Sequence, residues 1–293
     1  MLQINYCVSV LIFYEIVIFV FMIFNNIKIP VFWWSSKKFE NKKFENFGDL
    51  VGPYLVEKIS GKNVRFIQPK KRKFTDLFTK VYFTAGSILA HIDTRSIVWG
   101  SGIIETPTKV PKATFLAVRG PLTRAELLKQ GYNVPEVYGD PAILLPKFYT
   151  PELTKKYKIG IIPHYVDYDK VLNWYKDDIT IKVINLLNNS VEAVVNEIYS
   201  CETIISSSLH GIIVAHTYKT PAVWVKFSDN LFGDDTKFYD YFNSVKIPEI
   251  NPVFINEKKE TQQLLVLATR NGLLANSKII ERLQNGLMKV CPF

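Results

Sequence analysis

Ser206-Ser-Ser-Leu-His210-Gly-Ile-Ile-Val214, preceded by the apolar run Thr203-Ile-Ile205, is the segment that decides the fold of this chain. The apolar run predicts a buried strand, and the residues after the serines predict a helix. Serines favour helix N-caps, and the free backbone amides of a first helical turn bind anions. Because His210 lies in that turn, a proton carrier stands beside donors for phosphate or carboxylate. We expect an anionic substrate to contact Ser206, Ser207, Ser208 and Gly211.

Composition and charge narrow the class of protein. The chain has 293 residues, of which 48% are hydrophobic and 14% aromatic, enough for full cores and unlike a disordered protein. Its formal net charge of +9 favours anionic partners. The lysine clusters at 37–43 and 70–73 lack the aromatic interleaving of a single-strand binder, so we expect no nucleic acid. We interpret them as solvated loops near a membrane surface.

Cysteine and histidine spacing argues against a metal site. The three cysteines are far apart with no Cys-x-x-Cys, and the four histidines form no His-x-x-x-His pair. We therefore expect no metal, no cofactor and a reducing compartment. Gly100-Ser-Gly102 lacks the third glycine of a dinucleotide fingerprint, and no Gly-x-x-x-x-Gly-Lys occurs, which argues against hydride transfer and nucleotide hydrolysis.

The N-terminal segment is apolar from Val8 to Phe24, interrupted mainly by Glu15. A bilayer span needs at least about 17 residues, and a central carboxylate costs roughly 2.5 to 3.5 kcal/mol on insertion scales. The lysines that follow predict a cytoplasmic body anchored to the inner face of the membrane by residues 8–24. Two interpretations stay open: a hydrophobic anchor helix, or a translated extension upstream of the true start.

Strands that end in Gly/Ser turns and alternate with helices predict an α/β fold with parallel sheets. The polar, proline-bearing stretch 146–156 separates two such series. We predict a hydrophobic segment at 1–28, a Rossmann-like domain at 29–150 and a second, with C-terminal helices, at 151–293. The two face a cleft, as in GT-B enzymes. The predicted strands are 29–34, 64–67, 81–84, 96–99 and 114–118, then 158–162, 180–184, 203–205 and 222–225.

Ligands of parallel sheets collect beyond the carboxyl ends of the strands. The residues that follow predicted strands, or join a strand to a helix, are therefore the candidate binding residues. They are Asn46, Gly48, Asp49, Gly86, Ser87, Gly100, Ser101, Gly102, Asp140 and His164. An Asx turn and N-cap is an alternative role for Asn46. A solvated loop is the interpretation for the polar residues after the last clear strand, and contact with an acceptor is the alternative. They are Lys226, Asp229, Lys237, Asp240 and Tyr241.

Arg119 closes a predicted buried strand and precedes Gly-Pro, which frees the backbone to turn into a helix. A guanidinium at that point can bind a carboxylate or phosphate with two hydrogen bonds. The alternative is a salt bridge across the domain. A core histidine bonded to a carbonyl is likewise the alternative to a catalytic His210.

Six segments of this chain resemble, in order, those of the polysaccharide pyruvyl transferase family. They are Asn46-Phe-Gly-Asp49, Val98-Trp-Gly-Ser-Gly102, Val118-Arg-Gly-Pro-Leu-Thr123, Tyr138-Gly-Asp-Pro-Ala142, Ile162-Pro-His-Tyr165 and Ser206-Ser-Ser-Leu-His-Gly211. The chain differs at two points: many members have arginine where Ser208 stands, and Arg-Asp-x-x-Ser where Arg119-Gly-Pro-Leu-Thr123 stands.

The resemblance implies a fold like that of two-domain glycosyltransferases and an enzyme of exopolysaccharide biosynthesis. It implies transfer of a pyruvyl group from phosphoenolpyruvate to hydroxyls of a glycan or lipid-linked glycan, as a ketal. His210 is expected as general acid/base, with Arg119 and the N-terminus of the His210 helix holding carboxylate and phosphate. The alternatives are a GT-B glycosyltransferase using a nucleotide sugar and a non-catalytic, membrane-tethered assembly factor.

Overall fold

A computed structural model describes residues 28–230, 232–248 and 250–293 of the chain. The predicted hydrophobic helix and the anchor at residues 8–24 lie outside these ranges. Within them, none of the helices combines the length and the apolar character that crossing a bilayer requires.

Two five-stranded sheets organise the described residues. The first has the order β2-β1-β3-β4-β5, and every neighbouring pair is parallel. Its strands are β1 (Ile29–Phe32), β2 (Val64–Phe66), β3 (Val81–Phe83), β4 (Ser96–Trp99) and β5 (Thr114–Ala117). All five lie where the alternation of apolar runs and Gly/Ser turns predicts them.

The second sheet has the order β10-β9-β8-β6-β7, again with parallel pairs throughout. Its strands are β6 (Tyr157–Ile162), β7 (Ile181–Val183), β8 (Cys201–Ser206), β9 (Ala222–Lys226) and β10 (Val253–Phe254). Counted within each half, both sheets have the doubly wound order 2-1-3-4-5. Each therefore has a topological switch point, between β1 and β3 and between β6 and β8, where such folds bind ligands.

Ten α-helices lie between and after these strands in the described ranges. They are α1 (Ser36–Phe39), α2 (Phe47–Ser60), α3 (Pro121–Lys129), α4 (Leu145–Phe148), α5 (Tyr168–Tyr175), α6 (Val191–Tyr199), α7 (Leu209–Thr217), α8 (Thr236–Ser244), α9 (Thr261–Asn271) and α10 (Ser277–Lys289). Local chemistry sets several ends. The Asn46 side chain caps α2 by accepting from the amide of Gly48, and Gly61 ends α2 with a left-handed φ of 67°.

Apolar packing joins the two halves. Each sheet has its own core, and a further cluster combines α2 and Trp99 of the first half with α7 of the second. The C-terminal helix returns to the first sheet, where the Trp99 indole donates to the carbonyl of Leu287 at 3.0 Å. Phe293 packs edge-on against Trp99. The two parallel-sheet halves are thus confirmed, while the GT-B-like cleft and the domain limits stay predictions.

The solvated loop predicted at 226–241 is wrong over much of its length. Residues 236–244 form α8, in which Phe238, Asp240 and Tyr241 are fully buried. Phe238 stacks on Trp224 of β9, with ring centroids 4.6 Å apart. The prediction rested on the position of these residues after the last clear strand. Instead, the aromatic residues enter the core and Asp240 finds a partner in the first half.

Candidate active site

His210 lies in the first turn of α7, where the N-terminus of α2 meets it from the other half. A Cβ added at Gly48 would overlap the imidazole ring, so only glycine allows this approach. The side chain of His210 keeps 13% of its surface exposed. The two halves therefore close around the imidazole without sealing it from solvent.

Asp140 is the carboxylate nearest to that imidazole. Its Oδ2 lies 3.6 Å from His210 Nε2, which is too long for a hydrogen bond but close enough for ion pairing. Both atoms are buried, and neither has a hydrogen-bond partner among the described residues. The other oxygen, Oδ1, accepts from the amide of Ala142 and so fixes the carboxylate. The arrangement suits a base oriented by a carboxylate, with hydrogen-bonding capacity left over.

Asp49 lies in the first turn of α2, beside the same imidazole. Burial raises the pKa of its carboxyl from 3.8 to about 7, and the charge of His210 partly opposes that rise. Gly86, which follows β3 with a φ of 106°, brings the backbone close to the Asp49 carboxylate. A carboxyl that titrates near neutral pH can give or take a proton under physiological conditions.

Two further titratable groups face this cluster. His164 follows β6, and burial, with a contribution from the charge of Lys237, lowers its pKa to about 4. Its Nδ1 is buried without a hydrogen-bond partner in the part of the chain that the structure describes. Lys237 belongs to the first turn of α8. Burial and then the charge of Arg119 lower the pKa of its ammonium to about 8, against the attraction of Asp235 and Asp49.

Arg119 is fully buried and engaged within the protein. Its Nε donates to Asp240 at 3.0 Å, one terminal nitrogen donates to the Ser87 hydroxyl at 2.6 Å, and the other to the carbonyl of Ile103 at 2.6 Å. Residue 102 must be glycine because a Cβ would overlap the guanidinium. The structure shows Arg119 in the alternative role, a salt bridge across the two halves, with the partly buried Ser87 as one of its hydrogen-bond partners.

Asp240 completes this connection from the second half. Its Oδ1 accepts from the amides of Leu122 and Thr123, and its Oδ2 accepts from the Thr123 hydroxyl as well as from Arg119. Helix α3 therefore begins with a cap supplied by the other half. A Cβ at Gly120 would overlap the backbone and carboxylate of Asp240, so the glycine makes room for it.

The serines before His210 divide by role. Ser206 and Ser207 are buried, and their hydroxyls hold the turn: Ser207 Oγ accepts from the amide of His164, and Ser206 Oγ from that of Ser208. Ser208 is the N-cap of α7, but its side chain makes no capping hydrogen bond. A Cβ at Gly211 would press on the Ser206 hydroxyl. The first-turn amides of α7 are thus left without the cap that the serine pattern predicts.

The remaining predicted residues support the turns. Asn46 takes its alternative role as an N-cap. Gly100, with a φ of 96°, packs against Pro141, and the Ser101 hydroxyl donates to the carbonyl of Thr84. Sequence reasoning gave Lys237 and Asp240 to a solvated loop and missed their place at the junction. Over the described ranges, the His, Cys, Asp and Glu side chains form no cluster of three able to hold a metal ion.

Comparison with known proteins identifies the family. The model of the family described as polysaccharide pyruvyl transferase matches residues 30–229, more than half of the chain. A similar protein is "Uncharacterized protein L143" of Acanthamoeba polyphaga mimivirus, 32% identical over 206 residues, which cover 68% of this chain and 70% of that protein. The matched residues run from the second residue of β1 past the end of β9 and include His210. The chain belongs to the polysaccharide pyruvyl transferase family and is a transferase.

Proposed function

We propose that the protein transfers the pyruvyl group of phosphoenolpyruvate to two hydroxyls of a cell-surface glycan precursor as a ketal. One observation carries the proposal: the junction of the two halves places Asp49 and His210 beside the uncapped N-terminus of α7 and the ammonium of Lys237. These groups supply what the reaction needs, namely proton transfer next to sites for two anionic groups.

The chemistry balances without a further reactant. The methylene carbon of phosphoenolpyruvate gains a proton, and the central carbon forms bonds to two acceptor oxygens. The bond from that carbon to the phosphate oxygen breaks, and phosphate leaves. Of the two protons lost by the acceptor hydroxyls, one balances the proton on the methyl carbon and the other leaves with phosphate.

The residues divide these tasks. Protonated Asp49 supplies the proton to the methylene carbon, because its raised pKa keeps a proton available near neutral pH. His210, oriented by Asp140, takes the hydroxyl proton. Lys237 and the first-turn amides of α7 bind phosphate and carboxylate. Arg119 positions Ser87 and does not touch substrate, because its side chain is fully buried and each of its three nitrogens donates to a protein group.

The acceptor in this proposal is a glycan or lipid-linked glycan of exopolysaccharide synthesis, modified on the cytoplasmic side of the membrane. The acidic donor and the basic charge of the chain are consistent with each other, since a net charge of +9 attracts anions. Neither proton transfer by His210 nor anion binding by Lys237 requires a bound cofactor.

The test incubates the purified full chain with phosphoenolpyruvate and a panel of glycan acceptors. We expect inorganic phosphate in the phosphorus NMR spectrum and an acceptor heavier by about 70 Da, the mass of a ketal-linked pyruvyl group. Release of nucleoside diphosphate from a nucleotide sugar, with phosphoenolpyruvate untouched, would instead establish the glycosyltransferase alternative. No turnover of either donor would leave the assembly-factor alternative.

A further inference from the structure

A second surface of the first half is unusual because large apolar side chains stand out in solvent. The segment 67–80 joins β2 to β3, and in it Phe74 is 89% exposed, Phe78 80% and Leu77 43%. We call these three residues the apolar patch. Single exposed apolar residues are ordinary, but two almost fully exposed phenylalanines beside a leucine need an explanation.

The segment is amphipathic in the reverse of the usual sense. Residues 74–76 form a 3₁₀ turn that Leu77 continues, so that Phe74 and Leu77, three residues apart, lie on one side of the turn and Phe78 follows directly. Asp76, from the opposite side of the turn, is only 8% exposed and pairs with Arg65 at 2.7 Å. The charged residue faces the protein, and the apolar residues face outward.

The apolar patch is held in this position by its own contacts. Arg72 donates from Nε and one terminal nitrogen to the carboxylate of Asp93, and from the other to the carbonyls of Asp76 and Thr79. The Arg72 side chain is 6% exposed. Because one buried guanidinium fastens both ends of the turn, the phenylalanines are displayed by an ordered segment.

Cations flank the apolar patch in the sequence. Within the described ranges, no carboxylate lies within ion-pair distance of Lys70, Lys71, Lys73 or Lys80. Arg95 lies over the ring of Phe78, 4.7 Å from its centroid. Exposed aromatic and aliphatic side chains flanked in the sequence by exposed lysines match the two layers of an anionic membrane surface, acyl chains below and acidic headgroups above.

We propose that the apolar patch and its lysines attach the protein to an anionic lipid bilayer, with Phe74 and Phe78 inserted below the headgroups. Leu77 between the two rings favours acyl chains over nucleic-acid bases, which stack on aromatic faces. Lys80 and Arg95 directly precede β3 and β4, whereas the candidate active site follows the strands at the opposite edge of the sheet. Attachment therefore leaves the active site free, and it does not depend on the proposed pyruvyl transfer.

The experiment measures whether positions 74 and 78 enter the lipid, through the fluorescence of a tryptophan placed at each. Full-length F74W and F78W are mixed with phosphatidylcholine vesicles that contain about 30% phosphatidylserine. We expect tryptophan emission to shift to shorter wavelength and to be quenched by brominated acyl chains, relative to the parent chain. Ile179, which is also 89% exposed but lies on the second half, provides the control I179W, whose emission should not change.

A second set of variants tests the lysines. K70Q/K71Q/K73Q should weaken binding about 100-fold, since each lysine near an anionic surface contributes about fivefold. F74S/F78S should also weaken binding to the vesicles, whereas the control I179S should leave binding unchanged.

Three results would overturn the proposal. Equal quenching at positions 74, 78 and 179, or none at 74 and 78, would show that the patch does not insert. Competition by a short oligonucleotide that removes the vesicle signal would point to nucleic acid. A dimer in solution that F74S/F78S dissolves would point to a second copy of this chain.

Discussion

Two groups of charged residues lie side by side at the junction of the halves, and they are built differently. Arg119 and Asp240 are fully buried, and each hydrogen-bonds several protein groups. Asp49, His210 and Lys237 are only partly buried. Near them, buried atoms of His210 and Asp140 lack hydrogen-bond partners in the described ranges.

The difference separates structure from chemistry. A fully buried ion pair in which each charged atom has a protein partner holds elements together and is closed to a substrate. Buried groups with unused hydrogen-bonding capacity or shifted pKa values lower the stability of the folded protein. Such groups are typical of functional sites. Variants in the first group should therefore change unfolding, and variants in the second should change turnover.

His210→Asn should have the largest effect on turnover. We expect kcat to fall by about 10² to 10⁴, because a positioned general acid/base contributes that factor. The midpoint of thermal unfolding should change little, since the imidazole has no hydrogen bond to lose on Nε2. Phosphate release and circular dichroism measure the two quantities. Large unfolding with intact kcat in the folded fraction would place His210 in the structural group.

Asp240→Asn should have the largest effect on stability. Removing one partner of a buried ion pair leaves an uncompensated charge, and such changes cost about 3 to 5 kcal/mol in the free energy of unfolding. Urea denaturation measures it. Glu257→Gln, which breaks the exposed pair of Glu257 with Lys259, is the control and should give no measurable change. If both variants unfold alike, the buried pair does not hold the two halves together.

Asp49→Asn should raise the free energy of unfolding and lower kcat. The folded carboxyl has a pKa of about 7 and the unfolded one about 3.8, so the parent chain loses stability as pH rises through that window. Above pH 7 the variant should be more stable by at most about 4 kcal/mol, with no gain below pH 4. Denaturation at several pH values measures this difference.

The control for this variant is Asp177→Asn, which removes an exposed carboxyl of the second half. It should not follow the pH trend of Asp49→Asn. A gain in stability that is constant from pH 4 to 8 would contradict the assignment of the titration to Asp49.

Lys237→Gln should have the smallest effect of the four. Loss of one cation from an anion site is expected to raise the KM for phosphoenolpyruvate about tenfold, with kcat changed less, because the ammonium binds and does not transfer protons. Lys246→Gln, at the other end of the same helix region and exposed, is the matched control. A fall in kcat with KM unchanged would give Lys237 a role in the chemical step.

Much of the fold follows from local patterns. The apolar runs that end in Gly-Ser turns predict nine of the strands because both signals lie within a few residues. The two-residue strand β10 carries too little pattern to be recognised. Helix α8 was missed for a physical reason: Asp240 is stable in the interior only because Arg119, far away in sequence, meets it there.

The candidate site is partly visible in the sequence. His210, Gly48 and Asp140 come together at strand ends, as the fold class and the family resemblance imply. Lys237 cannot be found this way, because its proximity to Asp49 and Arg119 depends on how α8 packs across the junction. The shifted pKa of Asp49 likewise depends on burial by both halves.

The cap that Asp240 provides to α3 bears on how the chain is made. A ribosome releases Arg119 and the start of α3 well before it translates residue 240, so the nascent first sheet emerges with a guanidinium whose counter-charge does not yet exist. We expect the nascent first half to stay incompletely packed and to depend on chaperones until α8 has been synthesised. The two halves then complete their folding together.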